Sequence, residues 1–356
     1  FAAVIAVAGV AVAQAGNPVG IVPTEDDVAN ANMKRPYSPY AGRGFPTQVY
    51  WGDTHLHTGL SVDAGLFGCR LGLDDAYRFA RGEEVMASSG QPAKLGRPLD
   101  WLVIADHSDA MGFFFDLAAG DPDILKFDQA KPWYEGLQTG GEASTEAALD
   151  LITTFAQGKI DPEMMVEYSP GGKTYASVWE KVVEAAERFN EPGRFTAVIG
   201  YEYTTRGGFN LHRNVLFRGD AAEANQTLPF SQFDSQNPED LWKALDDFEK
   251  RTGADVLAIP HNGNLSNGLM FSVETYAGEP LSPELATLRA SLEPVIEATQ
   301  IKGDGEAHPF LSPDDEFADY ETWDDANLDG TEVKKPEMLQ FEYARSALKT
   351  GLALEQ

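Results

Sequence analysis

The chain alternates short apolar runs of strand length with amphipathic helical patterns. Apolar runs bounded by turn residues indicate buried strands, and apolar residues at a 3.6-residue period indicate helices that pack on a sheet. The predicted strands cover residues 49–52, 100–105, 195–200, 212–217, 255–259 and 294–298. The predicted helices cover residues 73–81, 143–157, 176–189, 241–251 and 285–292. This alternation predicts an α/β fold with a mainly parallel sheet.

Residues suited to metal binding or acid–base chemistry follow several of these strands. His107, Glu202 and His261 each lie just beyond the C-terminal end of a predicted strand, and His55 and His57 follow another. In α/β barrels and in open parallel sheets, functional sites form at this edge. The sequence therefore predicts that these five side chains meet at one site.

The segment WGDTHLHTGLSVDA, residues 51–64, holds two of the six histidines of the chain. His55 and His57 are two residues apart, so on a strand both imidazoles point to the same side. Two neutral imidazoles with a nearby carboxylate, here Asp63, form a good ligand set for a divalent ion. Taken alone, the motif fits two surface or hydrogen-bonded histidines equally well. Together with the other strand-end residues, it predicts a metal site.

Two further segments supply candidates for the same site. In ADHSD, residues 105–109, His107 is a predicted ligand, and Asp106 either binds metal or orients a ligand. Glu202 follows the run FTAVIG and is positioned to bridge two ions. The alternative for Glu202 is an ion pair with Arg206 or Arg213.

The remaining histidines differ in their sequence surroundings. His261, in AIPHNGN, is a predicted metal ligand, and its alternative is a turn histidine bonded to the backbone. Asn262 beside it is a candidate substrate-binding residue. His212 begins a predicted strand ten residues after Glu202 and is a candidate for acid–base chemistry. His308, in GEAHPF, is predicted to be structural.

The formal net charge of −29 at pH 7 limits the partners of this chain. A strongly acidic surface repels phosphate backbones, so we expect no binding to nucleic acid. A cluster of metal ions can reverse the field locally, so a small anionic substrate remains compatible. Cys69 is the single cysteine and forms no disulfide within the chain. The sequence also lacks a phosphate-binding loop and a G-x-S-x-G nucleophile motif.

The ends and one internal stretch depart from the strand–helix pattern. Residues 1–15, FAAVIAVAGVAVAQA, are typical of the end of a signal peptide, so we expect a secreted or periplasmic protein without a stable membrane anchor. Residues 16–47 predict an extended lead-in. Residues 48–356 form one predicted domain, with an insertion at about 110–190 that could act as a lid. Residues 336–356 predict a helix without a stop signal, so we expect a C-terminal truncation.

The order of these motifs resembles the PHP (polymerase and histidinol phosphatase) superfamily, in particular its secreted bacterial branch of unknown function. The motifs are GDTHLHTGLSVDA, WLVIADHSD, IGYEYT and IPHNGN, and the resemblance covers residues 48–350. It implies a distorted, TIM-like (β/α)7 barrel and a cluster of two or three divalent metal ions, commonly zinc, manganese or iron. The usual reaction of the superfamily is the hydrolysis of phosphate esters.

Carried onto this sequence, the superfamily pattern implies three metal positions. One ion is held by His55, His57 and Glu202, a second by Glu202 and His261, and a third by Asp63 and His107. The position of His212 matches either a ligand or an acid–base partner. The pattern ends in Asp-x-His, but His308, the last histidine here, has Glu306 two residues before it. We expect the missing pair to lie beyond Gln356.

These features predict a metal-dependent hydrolase, most directly a phosphoesterase that acts on a phosphate monoester or diester. In this hypothesis His212 or Asp106 moves a proton, and Arg206 or Arg213 neutralises a phosphate oxygen. Two alternatives stay open. One is an amidohydrolase- or lactonase-type metal hydrolase, and the other is a secreted metal-binding protein without catalytic activity.

Overall fold

A five-stranded sheet forms the centre of the fold. The computed structural model describes residues 48–205 and 208–354, so the predicted signal peptide (1–15) and lead-in (16–47) lie outside the described residues. The sheet has the strand order β1-β4-β5-β6-β7. Its strands are β1 (Gly52–Leu56), β4 (Trp101–Ile104), β5 (Thr196–Tyr203), β6 (Arg213–Arg218) and β7 (Asp255–Pro260). Two small hairpins lie outside it, formed by β2 (Val85–Met86) with β3 (Pro92–Ala93) and by β8 (Thr299–Gln300) with β9 (Gly303–Asp304).

The sheet is mixed, which corrects the prediction of a mainly parallel sheet. β1, β4 and β5 are parallel, whereas β6 is antiparallel to both β5 and β7. The physical reason is the short connection between Tyr203 and Arg213, because a parallel crossover needs about a dozen residues or more. β7 therefore runs in the same direction as β5, and β6 begins at the edge where the other four strands end.

The helices cover mainly one face of this sheet. They are α1 (Val62–Leu66), α2 (Leu73–Ala80), α3 (Phe113–Ala119), α4 (Pro122–Leu125), α5 (Ala130–Thr139), α6 (Gly141–Ala156), α7 (Lys173–Phe189), α8 (Ala221–Ala224), α9 (Pro238–Thr252), α10 (Pro283–Leu292) and α11 (Ala344–Leu354). Short 3-10 turns occur at Val166–Tyr168, Gly263–Leu265 and Pro336–Phe341. In α7, Tyr175, Trp179, Val182 and Ala186 recur at helical spacing and are buried. They join the main core with sheet residues such as Ile199.

The described residues show the α/β class but no closed barrel. Within the described residues, β1 and β7 each pair with one neighbouring strand, so the sheet is open at both sides. Its second face carries a smaller apolar cluster of Val103, Leu216 and Ile259. Residues Tyr50–Ala347 form one compact unit, and the described part of a second unit consists of residues 48–49 and 348–354. Among the described helices, none has the length and apolar character required to cross a membrane.

The predicted insertion is largely helical and has its own apolar cluster. α3 to α6 and the turn at Val166–Tyr168 bury Phe113, Trp133, Leu151 and Tyr168 against one another. The end of the predicted range differs, because α7 packs into the main core. The separate cluster therefore ends before α7.

Two predicted elements near the C-terminus differ from the structure. Residues 294–298 are not a strand, although the Glu297 amide donates a hydrogen bond to the carbonyl of Pro260 at the end of β7. Residues 336–356 do not form one helix, since the 3-10 turn and α11 are separate. Between them, the buried Glu342 carboxylate pairs with Lys334 at 2.8 Å. This tertiary contact fixes the chain where a continuous helix was predicted.

Candidate metal centre

Six strand ends and loops bring imidazoles and carboxylates to one edge of the sheet. His55 lies in β1 and His57 just after it, His107 follows β4, Glu202 lies in β5, His212 precedes β6 and His261 follows β7. The antiparallel direction of β6 places His212 at the same edge as the others. The predicted convergence of strand-end residues is therefore present in the structure.

Glu202 occupies the centre of this cluster and is 0% exposed. Its Oε1 lies 2.6 Å from His212 Nδ1 and 3.0 Å from His261 Nε2. Its Oε2 lies 3.0 Å from His57 Nε2 and 3.2 Å from His55 Nε2. One carboxylate thus faces four imidazoles. Arg213, one predicted alternative partner, pairs with Glu293 instead, and Arg206, the other, lies outside the described residues.

Ser61 fixes the orientation of the His57 ring. The Ser61 hydroxyl donates to Asp63 Oδ1 at 2.9 Å, so it accepts from His57 Nδ1, which lies 2.8 Å away. In the neutral imidazole the proton is then on Nδ1, and Nε2 carries a lone pair. That Nε2 is buried and makes no hydrogen bond, although Glu202 Oε2 is 3.0 Å away. Two atoms this close share either a proton or a metal ion, and in the neutral ring the proton is already on Nδ1.

Asp63 and His107 form the opposite side of the cluster from His55. Nε2 of His107 lies 3.3 Å from Asp63 Oδ2. Its Nδ1 is 2.7 Å from the Thr204 hydroxyl. A hydrogen bond to one ring nitrogen orients the other toward a ligand position, as in many metal sites. The structure thus places Asp63 and His107 together, as the sequence predicted.

Glu297 is a member of the cluster that the sequence prediction missed. Its Oε2 lies 2.6 Å from His55 Nδ1. It is placed there by the backbone bond from Glu297 to Pro260, next to His261. The available signal was a carboxylate inside the apolar run PVIEA, residues 294–298.

Four overlapping groups of three side chains have ligand atoms within 4.8 Å of one another. They are His55–His57–Glu202, His57–Asp63–His107, His107–Glu202–His212 and His55–His261–Glu297. Imidazole nitrogen with carboxylate oxygen is a donor set that suits zinc, manganese or iron. A metal–ligand distance of about 2.0–2.2 Å separates neighbouring ligand atoms by roughly 3 Å or slightly more, which the distances from Glu202 to His55, His57 and His261 match. The described residues can therefore hold a divalent ion.

The histidines at the outer side of the cluster bind protons tightly when no metal is bound. Burial lowers the pKa of His55, but hydrogen bonds to Glu202 and Glu297 and their charges outweigh it and raise the pKa to about 10. Burial likewise opposes protonation of His107, and the charges of Glu202 and Asp63 raise its pKa to about 9. Protons and metal ions therefore compete for these two side chains.

The two innermost histidines behave in the opposite way. Burial lowers the pKa of His212 to about 4 and that of His261 to about 3, although Glu202 opposes the shift. Burial also works to raise the pKa of Glu202, yet the nearby histidines hold it well below its usual value. At neutral pH the centre of the cluster is thus an ionised carboxylate that faces two neutral imidazoles, His212 and His261, beside the protonated His55. Nδ1 of His261 is also buried without a hydrogen-bond partner.

Asp106, predicted as a ligand or proton carrier, holds a loop in place. Its two oxygens accept from the Thr58 amide at 2.6 Å and the Thr58 hydroxyl at 2.7 Å. Because Thr58 follows His57 and Asp106 precedes His107, this contact ties the two ligand segments together. These contacts fit the predicted orienting role of Asp106, and its predicted roles as metal ligand and proton carrier stay predictions.

Two of the predicted substrate-binding residues, Arg213 and Asn262, are described, and neither is among the clustered groups. Arg213 is buried, and its Nε donates to Glu293 Oε1 at 2.8 Å. This structural ion pair corrects the prediction that Arg213 faces a substrate. Asn262 is buried in a left-handed turn beside His261, with its amide nitrogen 3.5 Å from Asn264 Oδ1. Arg206 lies outside the described residues.

His308 lies elsewhere, in agreement with its predicted structural role. Its Nδ1 accepts from the Phe310 amide at 3.1 Å, so Nε2 donates to Asp324 Oδ1 at 2.8 Å. Both ring nitrogens are therefore used within the local fold.

A cavity of about 500 Å³ opens onto the cluster. Among its lining residues are His55, His57, Asp63, Glu297 and Lys302. A volume of this size accommodates a small molecule. Four of the candidate metal ligands, His55, His57, Asp63 and Glu297, are therefore reached from this cavity.

The fold and site define an α/β protein with a carboxylate-centred, multi-histidine candidate metal centre at the C-terminal edge of its sheet. Residues 44–356 match the family described as Protein of unknown function (DUF3604), and the chain belongs to that family. Comparison with curated proteins and with solved structures gave no match.

Proposed function

We propose that this protein is a metal-dependent hydrolase and that its substrate is a phosphate monoester or diester. The observation that carries the proposal is the bare Nε2 of His57 facing Glu202 Oε2 at 3.0 Å, inside a cluster of five imidazoles. The Ser61 hydrogen bond places the proton of the neutral His57 ring on Nδ1, which leaves Nε2 free to bind a metal ion.

The ligand positions follow from the groups already described. His55, His57 and Glu202 would hold one ion, and His57, Asp63 and His107 would hold another. The remaining groups, His55–His261–Glu297 and His107–Glu202–His212, offer the further position. Divalent ions bound in this way supply Lewis-acid stabilisation of phosphoryl oxygens and activation of water. The number of ions, two or three, and their identity as zinc, manganese or iron belong to the proposal.

The side chains of the protein hold this arrangement and serve the reaction. Asp106 positions Thr58 between the two ligand segments, and Thr204 orients His107. His212 is neutral at pH 7 because burial lowers its pKa to about 4, so its free imidazole can accept a proton. The Ser61 hydroxyl accepts a hydrogen bond from Nδ1 of His57, which keeps Nε2 of the neutral ring available for binding a metal ion.

The PHP resemblance supports the same reaction class. Its motifs contain His55, His57, His107, Glu202 and His261, all of which lie in the cluster. The distorted (β/α)7 barrel and the secreted or periplasmic location belong to this proposal as well. A small anionic substrate fits a protein of net charge −29 only if cations in the site reverse the local field.

The test is turnover by purified protein supplied with zinc, manganese or iron. We expect release of p-nitrophenol from p-nitrophenyl phosphate or bis-p-nitrophenyl phosphate. Glu202→Gln should lower kcat/KM by at least about 100-fold, since even outer-shell changes at metal sites cost about 10–100-fold. Glu180→Gln, on the exposed side of α7, serves as the matched control.

The outcomes separate the candidate functions. No release from either ester with any of the three metals, in protein that binds them, would overturn the phosphoesterase proposal. Hydrolysis of amides or lactones alone would assign the amidohydrolase- or lactonase-type reaction. Metal binding without any turnover would leave a metal-binding protein.

A further inference from the structure

The hairpin of β8 and β9 brings a lysine to the cavity beside the metal cluster. The two strands pair Thr299 with Asp304 and Gln300 with Gly303. Ile301 and Lys302 therefore form the turn. Ile301 is 95% exposed, whereas Lys302 is partly buried and lines the same cavity as His55 and His57.

The backbone of this lysine is held from two sides. Its amide donates to Gln300 Oε1 at 3.2 Å, and its carbonyl accepts from the buried Asn264 side chain at 3.2 Å. Gly303, with φ of +111°, allows the close approach, because a Cβ there would lie 2.9 Å from Asn264 Nδ2. The hairpin tip is thus fixed against the loop that follows His261.

The ammonium group of Lys302 has no hydrogen bond or ion pair with the described part of the chain. The cavity lining includes three carboxylates, Asp53, Asp63 and Glu297, and no lysine or arginine among the described residues except Lys302. The lysine is nevertheless near the cluster. Burial is the main reason that the pKa of His212 is low, and the positive charge of Lys302 acts in the same direction.

We propose that Lys302 binds the phosphate group of the substrate and so determines the preference for an anionic ester. This inference rests on the proposed function. A lysine is a compact point charge that suits phosphate, and here its backbone is fixed while its charged end is free. The overall negative charge of the protein repels an anion, so a local cation at the cavity is needed beside the metal ions.

The test measures binding of inorganic phosphate to the full, metal-loaded chain by titration calorimetry. Lys302→Met should raise the dissociation constant roughly tenfold or more, because a hydrogen bond to a charged group is lost. Lys302→Arg should restore much of the affinity. Lys243→Met, which removes an exposed lysine of α9, should bind like the wild type. Metal content should be equal in all four proteins.

Equal phosphate affinity of Lys302→Met and wild type would overturn the inference, as would a wild type that binds no phosphate. Loss of metal from Lys302→Met would also overturn it, since the lysine would then support the metal centre. Hydrolysis of p-nitrophenyl phosphate by the same wild-type samples tests the proposed function separately. If Lys302→Met turns over the substrate with an unchanged KM, the proposed role of Lys302 is overturned and the phosphoesterase proposal stands.

Discussion

Glu202 makes the candidate centre one cluster rather than several separate pairs. Both of its oxygens lie within 3.2 Å of imidazole nitrogens that come from β1, the start of β6 and the end of β7. A buried carboxylate of this kind is costly unless cations compensate it. Because burial keeps His212 and His261 neutral, these two side chains do not supply the positive charge. In the metal-free protein the protonated His55 and His107 supply it, and bound divalent ions would replace those protons.

Ser61 offers a way to test the ring orientation of His57 without removing a ligand. Ser61→Ala should weaken metal affinity by about 10–100-fold, because the ring loses the bond that keeps Nε2 unprotonated. The measurement is a competition titration with a coloured chelator. Ser266→Ala removes an equally buried hydroxyl, bonded to Gly263, and should leave metal affinity unchanged. Equal affinity in Ser61→Ala and Ser266→Ala would show that Ser61 does not orient a ligand.

Most of the cluster members that the sequence predicted lie at or near the end of a strand, whereas Asp63 lies in α1. The strands that carry or precede His55, His107 and His261 run in the same direction. Their ends therefore lie at one edge of the sheet, independently of the loop conformations. Glu297 was missed because it reaches His55 through an irregular segment, 242 residues away in the chain. Arg213 was misassigned because its partner, Glu293, is 80 residues away, and no local pattern indicates that pairing.

The middle of the sheet tolerates little side-chain volume beside the metal cluster. In β5, two residues before Glu202, a Cβ at Gly200 would lie 2.6 Å from Val103 Cγ1 and 2.7 Å from the Val215 carbonyl. The carbonyl belongs to the neighbouring strand β6 and has no freedom to move without shifting the ladder. Gly200 therefore allows the close packing that places Glu202.

Gly200→Ala should lower the free energy of unfolding by about 1–3 kcal/mol, the usual cost of overpacking a core. Urea denaturation monitored by circular dichroism measures this change. Gly96→Ala is the matched control, because a Cβ there meets no atom within 4 Å. If both variants unfolded at the same urea concentration, the close packing of Gly200 against Val103 and Val215 would be contradicted.

Element positions were more predictable than strand directions. The helical patterns at 73–81, 176–189 and 241–251 correspond to α2, α7 and α9, since their apolar faces pack on the sheet. The antiparallel direction of β6 was not predicted, because helix–strand alternation favours parallel pairing. The seven-stranded barrel stays a prediction, because the five strands of the central sheet in the described residues leave it open.

The charge state of the cluster couples metal binding to pH for the protein as a whole. His55 and His107, with pKa values of about 10 and 9, are protonated at neutral pH in the metal-free protein. Metal must displace those protons, so metal affinity should rise with pH between 7 and 9, by up to about tenfold per unit for each proton released. Calorimetry in buffers of different ionisation enthalpy counts the protons. A metal affinity that is constant over this range would contradict the protonation of His55 and His107 in the metal-free protein.

The metal-free protein should respond to pH in the opposite direction. A histidine whose pKa in the folded state exceeds its unfolded-state value of about 6.5 contributes its full stabilisation when the pH is below about 6.5. This contribution is lost as the pH rises through the folded-state pKa. For His55 and His107 the loss begins near pH 7 and continues to about pH 10. Urea unfolding of chelator-treated protein should show stability falling by about 1–3 kcal/mol per pH unit between pH 7 and 9. Stability that rises over this range would contradict the protonation of the cluster.

The most direct test of the account is the metal content per chain, measured by elemental analysis on protein purified without chelator. The cluster around Glu202 has ligand groups for more than one ion. We predict two or three equivalents of zinc, manganese or iron, and loss of at least one equivalent in Glu202→Gln. A content of one equivalent or less, unchanged after incubation with each of the three metals, would contradict a multinuclear metal centre.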